Sequence, residues 1–446
     1  MRWHDVQSCI CRQSLLPWRQ KIHQARALRR PTPSRIMIVA ACLLRQTSAK
    51  PRVPSGLEEL TRSAAKAYEA GEAAASVARY REALVLAPVS VQLRRSLGNV
   101  LYRSARFAEA ASALQTALAL EPQHRATRKV LSDALAASGD LASALWHFGQ
   151  IPISPGIALP PLSSALAAPW QQPPRGAVSA VQPGSADVPS AYFTELEPSH
   201  RGALRELADF LSAEVLGESY GFEFRSSSLP VAGPGAIGGK DLLEQAVRRL
   251  RSLLPPAARR AAQCAEWWVH RRPPRRPMPG VRALALEGHP LHWDNDGAEA
   301  RGQPPLFTSV LYLASATVAP APTVVLNTSR SGSGFRVGDV AWLIHAAEGR
   351  VASIPGGMLH GVLPSAGAID VPGDAARPAR LSLNVAWWPH ACRRSPQEGL
   401  QSAAPPADVA WAVAMETMAG AESMVPEPVT SIFCGEDMCG RARPEL

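Results

Sequence analysis

Between residues 57 and 158 the chain repeats itself with a step of 34 residues. Pro88 and Pro122 keep that step, as do Tyr80, Leu114 and Phe148, then Ala83, Ala117 and Ile151, then Ala110 and Ala144. Apolar residues inside a unit, such as Leu93, Leu97, Val100 and Leu101, recur at helical spacing. Each unit therefore reads as two helices. Small residues such as Gly98 let the pair approach, large ones fill the gap, and a proline ends the second helix. Gly139-Asp140 marks the turn inside the third unit. A helical pair of this size cannot bury its apolar face alone, so the units must stack.

The positions resemble those of tetratricopeptide repeats, three in number, at 57–90, 91–124 and 125–158. The expected architecture is multidomain α + β. An all-α solenoid (57–158) is followed by a Pro-rich linker (159–190), a domain over 191–392 and a tail (393–446). The later domain opens with helical patterns at Leu204, Leu207, Phe210 and Leu211, and again from Leu242 to Leu254. From about 281 short β-like runs take over, at 281–286, 291–294, 307–313, 323–327, 340–344, 351–354, 358–363 and 380–388. Several short strands at this spacing predict a sandwich or barrel of the jelly-roll kind. The tail carries one weak helical pattern near 407–418.

With 46% hydrophobic and 19% charged residues, wholesale disorder is excluded. The net charge of +10 suggests nucleic acid until it is located. Residues 1–56 hold eleven Lys/Arg against Asp5 alone, which leaves 36 basic and 36 acidic side chains in the rest. The folded body is neutral, so no strong nucleic-acid signal remains, and residues 1–56 read as a disordered basic extension. The longest apolar run near the N-terminus, Ile36–Leu44, is too short to span a membrane. Seven scattered cysteines argue against a disulfide-built secreted fold, and Cys434 with Cys439 makes only a weak zinc half-site. These features together predict a cytoplasmic protein.

Three pieces of the β region carry chemistry. In Leu291-His292-Trp293-Asp294-Asn295, strand alternation sends His292 and Asp294 to one face. In Gly356-Gly357-Met358-Leu359-His360, a turn leads into a short strand bearing a second imidazole, 66 residues after Asp294. Two His and one carboxylate on one face of an ion form the facial triad of non-haem Fe(II) oxygenases, with positions left for a co-substrate and dioxygen. In Arg380-Leu381-Ser382-Leu383-Asn384, the polar residues share one face and the leucines the other. A guanidinium on an otherwise apolar strand suits a carboxylate held in two-pronged fashion, and Ser382 can add a hydroxyl.

These stretches, with Thr308-Ser309-Val310-Leu311-Tyr312-Leu313, resemble the 2-oxoglutarate- and Fe(II)-dependent oxygenases, prolyl 4-hydroxylase-like branch. The resemblance covers about a quarter of the chain, over 281–390. It implies a double-stranded β-helix with His292, Asp294 and His360 on iron. It also implies Arg380 on the distal carboxylate of 2-oxoglutarate, with Ser382 and Tyr312 helping. The activity it implies is hydroxylation, coupled to oxidative decarboxylation of the co-substrate by dioxygen. Iron binding needs Asp294 ionised and both imidazoles neutral, so it should weaken in acid.

The chain also departs from the pattern. Arg380 stands where prolyl hydroxylases commonly carry Lys, Pro320-Ala321-Pro322-Thr323 replaces a Gly-Gly-Glu-Thr stretch, and 364–379 is long and carries Arg377 as a competing anion binder. With repeats suited to peptides, the expected substrate is a peptide or protein side chain, prolyl among the options. A scaffold with an inactive barrel and a small-molecule oxygenase stay open. For the latter, removing residues 1–158 is expected to leave turnover intact. Three nearby features read as structural. His289 should face away from His292, His345 should end a strand, and the basic stretch Arg259–Arg276 around Trp267 and Trp268 should be a solvated face with buried indoles.

Overall fold

The computed structural model describes residues 56–153, 162, 166, 190–192, 204, 207–209, 211, 226–230, 242–272, 283–284, 288–294, 304–315, 322–331, 334–365, 369–370, 380–391, 423–424 and 428–430. The basic extension, most of the Pro-rich linker, Arg377, Cys434, Cys439 and the 407–418 pattern lie outside them. Leu57–Leu446 belong to one compact unit.

Six helices come first: α1 (Leu57–Glu69), α2 (Ala73–Leu86), α3 (Val91–Arg103), α4 (Phe107–Leu120), α5 (Arg125–Ala137) and α6 (Leu141–Gly149). They fall two to each 34-residue unit. Starts are capped where the sequence allows. The Ser90 hydroxyl accepts from the Leu93 amide, His124 Nδ1 from Thr127 and Asp140 Oδ1 from Ser143. Gly98 is buried, and a Cβ there would lie 2.6 Å from Leu114 Cγ, so the close approach of α3 and α4 requires glycine. Tyr80, Leu97, Leu101, Leu114 and Leu131 form the continuous core of this stack.

His147 on α6 is 2% exposed, with Nδ1 3.3 Å from an Arg128 guanidinium nitrogen. Burial first, and the Arg128 charge second, push its pKa from 6.5 down to about 4. The unfolded chain thus takes up a proton near 6.5 that the folded chain refuses until about 4. Stability is full above the unfolded value and falls as pH drops through this window, by about 3 kcal/mol in all. Denaturant titrations at pH 7 and pH 4.5 should show this loss, and His147→Leu should reduce it.

The remainder has two further helices, α7 (Leu242–Ser252) and α8 (Pro256–Ala261). Its strands are β1 (Ser190–Tyr192), β2 (Ser226–Pro230), β3 (Cys264–Arg272), β4 (Ala283–Leu284), β5 (His289–His292), β6 (Phe307–Ser315), β7 (Thr323–Ser331), β8 (Gly334–Ile344), β9 (Val351–Pro355), β10 (Leu359–Val362), β11 (Ile369–Asp370), β12 (Arg380–Trp388), β13 (Ser423–Met424) and β14 (Pro428–Thr430). Seven make one antiparallel sheet, β13-β1-β9-β6-β12-β3-β2, and five another, β14-β8-β7-β10-β5. β4 and β11 pair separately.

Strand alternation separates three apolar layers. Leu311, Leu381, Leu383 and Val385 face outward from the larger sheet onto Leu204, Leu207 and α7. Val310, Tyr312 and Ile354 of that sheet pack with Val325 and Trp342 of the other, so the sheets face each other. The outer face of the smaller sheet (Leu291, Val324, Leu326, Ala341 and Leu359) packs on Leu145 and Phe148 of α6 and on Ile151 and Ile153.

The structure adds detail to several readings of the sequence. Leu162 and Leu166, which the sequence reading places in the linker, are 1% and 0% exposed and belong to that last layer. The stretch around Trp267 and Trp268 is a strand with partners on both sides; both indoles are buried and Arg259 and Arg260 are exposed, as expected. The tail contributes β13 and β14, which pair with β1 and β8. Cys264 is disulfide-bonded and 2% exposed; its partner lies outside the described residues. Among the described residues no helix is long and apolar enough to cross a membrane.

Candidate metal centre

β5 and β10 are hydrogen-bonded neighbours, and their register sets His292 directly opposite His360. Leu291 and Leu359 turn outward into the core under α6, so the two imidazoles turn inward. Asp294 follows β5 by two residues. Its Oδ1 lies 3.6 Å from His292 Nε2 and its Oδ2 3.5 Å from His360 Nε2. One donor atom from each residue fits within 4.8 Å of the others, as donors around one ion must.

The surroundings set the protonation states. His292 Nδ1 lies 2.9 Å from the Pro290 carbonyl and His360 Nδ1 3.1 Å from that of Met358. A carbonyl can only accept, so each Nδ1 carries a proton, and each Nε2 is the nitrogen that faces the carboxylate. The Thr308 hydroxyl donates to Asp294 Oδ2 at 2.5 Å. Burial alone would raise the Asp294 pKa, but His360, His292 and Thr308 outweigh it and hold the carboxyl well below the usual range. Burial lowers the His360 pKa against the pull of Asp294. The carboxylate is therefore ionised and His360 neutral at neutral pH. Two neutral-type nitrogens and one carboxylate fit a divalent transition metal, iron included.

Arg380, Ser382 and Asn384 line the same cavity as the two histidines. Arg380 is 4% exposed, and its Nη2 donates to Thr323 Oγ1 at 2.9 Å. Tyr312 shares that hydroxyl, with its own oxygen 2.8 Å away, and its ring centroid lies 5.2 Å from the Arg380 guanidinium carbon. Burial lowers the pKa of Arg380, and Tyr312 works against the shift. Tyr312 thus stands beside both Arg380 and Thr323. Ser382 pairs with Tyr312 across β12 and β6, next to a register shift between Leu381 and Ser382.

The structure brings all six residues singled out in the sequence to one region, and adds others. Thr308 has a legible signal, since it shares strand parity with Val310 and Tyr312. Thr323 opens its strand behind a run of prolines and alanines and gave no such signal. His289 corrects an expectation. Its ring lies 4.5 Å from that of His292 and lines the cavity. Between the pairs His292–His360 and His289–Val362, two residues of β5 oppose one of β10, and this irregularity overrides simple alternation. His270 on β3 extends the row, 5.2 Å from His289. His345 does follow a strand end, and burial lowers its pKa.

No family model matches the chain, and no curated protein matches it. Among solved structures, a Pseudomonas putida prolyl-4-hydroxylase is similar at 13% identity, over 45% of this chain and 92% of that one, with a TM-score of 0.24. The non-heme alpha ketoglutarate dependent carbocyclase SnoK from nogalamycin biosynthesis is similar at 11% identity, over 49% and 91%, with a TM-score of 0.29. MamA (AMB-1) is similar at 22% identity over 21% of this chain, with a TM-score of 0.21; the chain spans about half (52%) of MamA. These likenesses are low, and the reading of the site rests on its own geometry.

Proposed function

We propose that the chain is a 2-oxoglutarate- and Fe(II)-dependent dioxygenase that hydroxylates a peptide or protein side chain, its two facing sheets forming a double-stranded β-helix. The observation that carries this is the convergence of His292, Asp294 and His360 in a cavity that also receives the buried Arg380. The metal, when bound, supplies the activation of dioxygen that side chains cannot perform. His292 and His360 offer Nε2 to it, and Asp294 offers its carboxylate, steadied by Thr308. Arg380 and Thr323 present donors to the far carboxylate of 2-oxoglutarate, with Ser382 beside them. Tyr312 stacks under the guanidinium and keeps the Thr323 hydroxyl in place. The facing sheets keep bulk water from the reacting atoms.

The exposed surface of the repeats would engage the peptide or a protein partner. A small-molecule substrate is the second reading. The burial of α6 against the smaller sheet gives the repeats a structural task that does not require them to bind substrate.

The test is anaerobic titration of Fe(II) and 2-oxoglutarate, followed by the visible charge-transfer band. Wild type should show the band and His292→Ala should not. Arg380→Ala should need about 100-fold more co-substrate, the equivalent of two charge-assisted hydrogen bonds. A folded wild type without a band would end the oxygenase reading and leave the scaffold. With the band present, succinate release driven by peptides rather than metabolites separates the two substrate classes.

A further inference from the structure

We propose that Asp133, in the third helical pair, is a positioning residue for the metal centre: it holds the strand that carries His292. The inference rests on the metal reading above and extends it to a residue 159 positions away in sequence.

β5 has four residues and, among the described residues, ends the smaller sheet with β10 as its one ladder neighbour. That ladder is irregular between His360 and Val362. A short edge strand with an interrupted ladder frays readily, yet a metal ligand must stay within a few tenths of an ångström of its place. Two contacts from the repeats compensate. Leu291 is packed in the layer formed by Leu145 and Phe148. The Gly288 amide, immediately before β5, donates to Asp133 Oδ1 at 2.7 Å. Asp133 is itself 2% exposed, and its Oδ2 accepts from Lys129 Nζ at 2.9 Å. One carboxylate oxygen is thus fixed within α5 and the other grips the start of β5. A Cβ at Gly288 would stand 3.3 Å from Asp133 Oδ1 and 3.0 Å from the Val362 carbonyl, so glycine lets the backbone reach the carboxylate.

The experiment uses the full chain with Co(II) as a spectroscopic probe, plus amide hydrogen exchange on the metal-free protein. Asp133→Ala should weaken Co(II) binding by about tenfold or more, in the range of lost outer-sphere contacts. It should also speed exchange at 288–292 selectively. Asp133→Asn combined with Lys129→Met keeps the acceptor oxygen without the ion pair and should restore both. Should Asp133→Ala prove too unstable to purify, Asp133→Ser, too short for the Gly288 amide, gives the same comparison. Unchanged Co(II) affinity with unchanged exchange at 288–292 overturns the inference. So does a uniform rise in exchange across both sheets, which would make Asp133 a general packing group. A wild type that binds no Co(II) overturns the metal reading as well, and is recognised because no variant is needed to see it.

Discussion

A chain cut to begin at residue 154 should fail to fold, and should accumulate as insoluble protein without metal binding. Leu145, Phe148, Ile151 and Ile153 are between 0% and 9% exposed, and they cover the outer face of the sheet that carries His292 and His360. Burial of each such side chain contributes about 1.5–3 kcal/mol, so the four together contribute about 6–12 kcal/mol. A whole domain is stable by only about 5–15 kcal/mol. The truncation would also bare Leu291, Val324, Leu326 and Leu359 as one apolar patch on a β-sheet, a surface prone to association. Soluble yield and tryptophan emission read the outcome, and co-expression of residues 57–153 as a separate chain should rescue part of it. A soluble 154–446 fragment that still binds Fe(II) would show the docking to be dispensable. The same packing means that loss of turnover after deleting 1–158 cannot tell a peptide substrate from a small molecule. Substitutions on the exposed face of α1 to α4, which stand away from this contact, are needed for that.

The solenoid was legible because a fixed period forces the same small and large residues into the same places. Gly98 against Leu114 is one such contact. The convergence of His292, Asp294 and His360 was legible because strand parity needs only local sequence: His292 and Asp294 alternate, and Leu359 and His360 divide between two faces. The docking of α6 on the sheet was not. Leu145 and Phe148 satisfy the repeat pattern whether or not a second surface covers them, and their partners lie about 140 or more residues on. Leu162 and Leu166 were hidden by the prolines around them. β13 and β14 are two and three residues long, and their ladder bonds leave no side-chain pattern. Parity also failed where registers shift. The irregularity between β5 and β10 puts His289 beside His292, and no reading of one strand alone can supply it.

That strand pair is also where a single methyl group should disturb the spacing of His292 and His360. A Cβ placed on Gly361 would lie 2.6 Å from the His289 carbonyl oxygen, 3.2 Å from the Leu291 amide nitrogen and 3.3 Å from Leu291 Cα. All three are backbone atoms, so no side-chain rotation relieves the clash. Gly361→Ala must push β10 away from β5, and the neighbouring residue His360 moves with it, away from His292 across the ladder. Overpacking of this kind costs about 1–3 kcal/mol of stability. The loss at the metal should be larger, because three donors must meet one ion and a displacement of half an ångström already exceeds what a centre tolerates. Co(II) affinity is expected to fall by about 100-fold, against a thermal midpoint lowered by only a few degrees. Gly357→Ala is the control. It lies in the turn before the same strand, nothing stands within 4 Å of its added Cβ, and its carbonyl still accepts from Trp293 Nε1. That variant should bind Co(II) as wild type does. If Gly361→Ala also binds normally, the β5–β10 spacing does not control the ligands, and the centre must take its geometry from Asp294 and Thr308 instead.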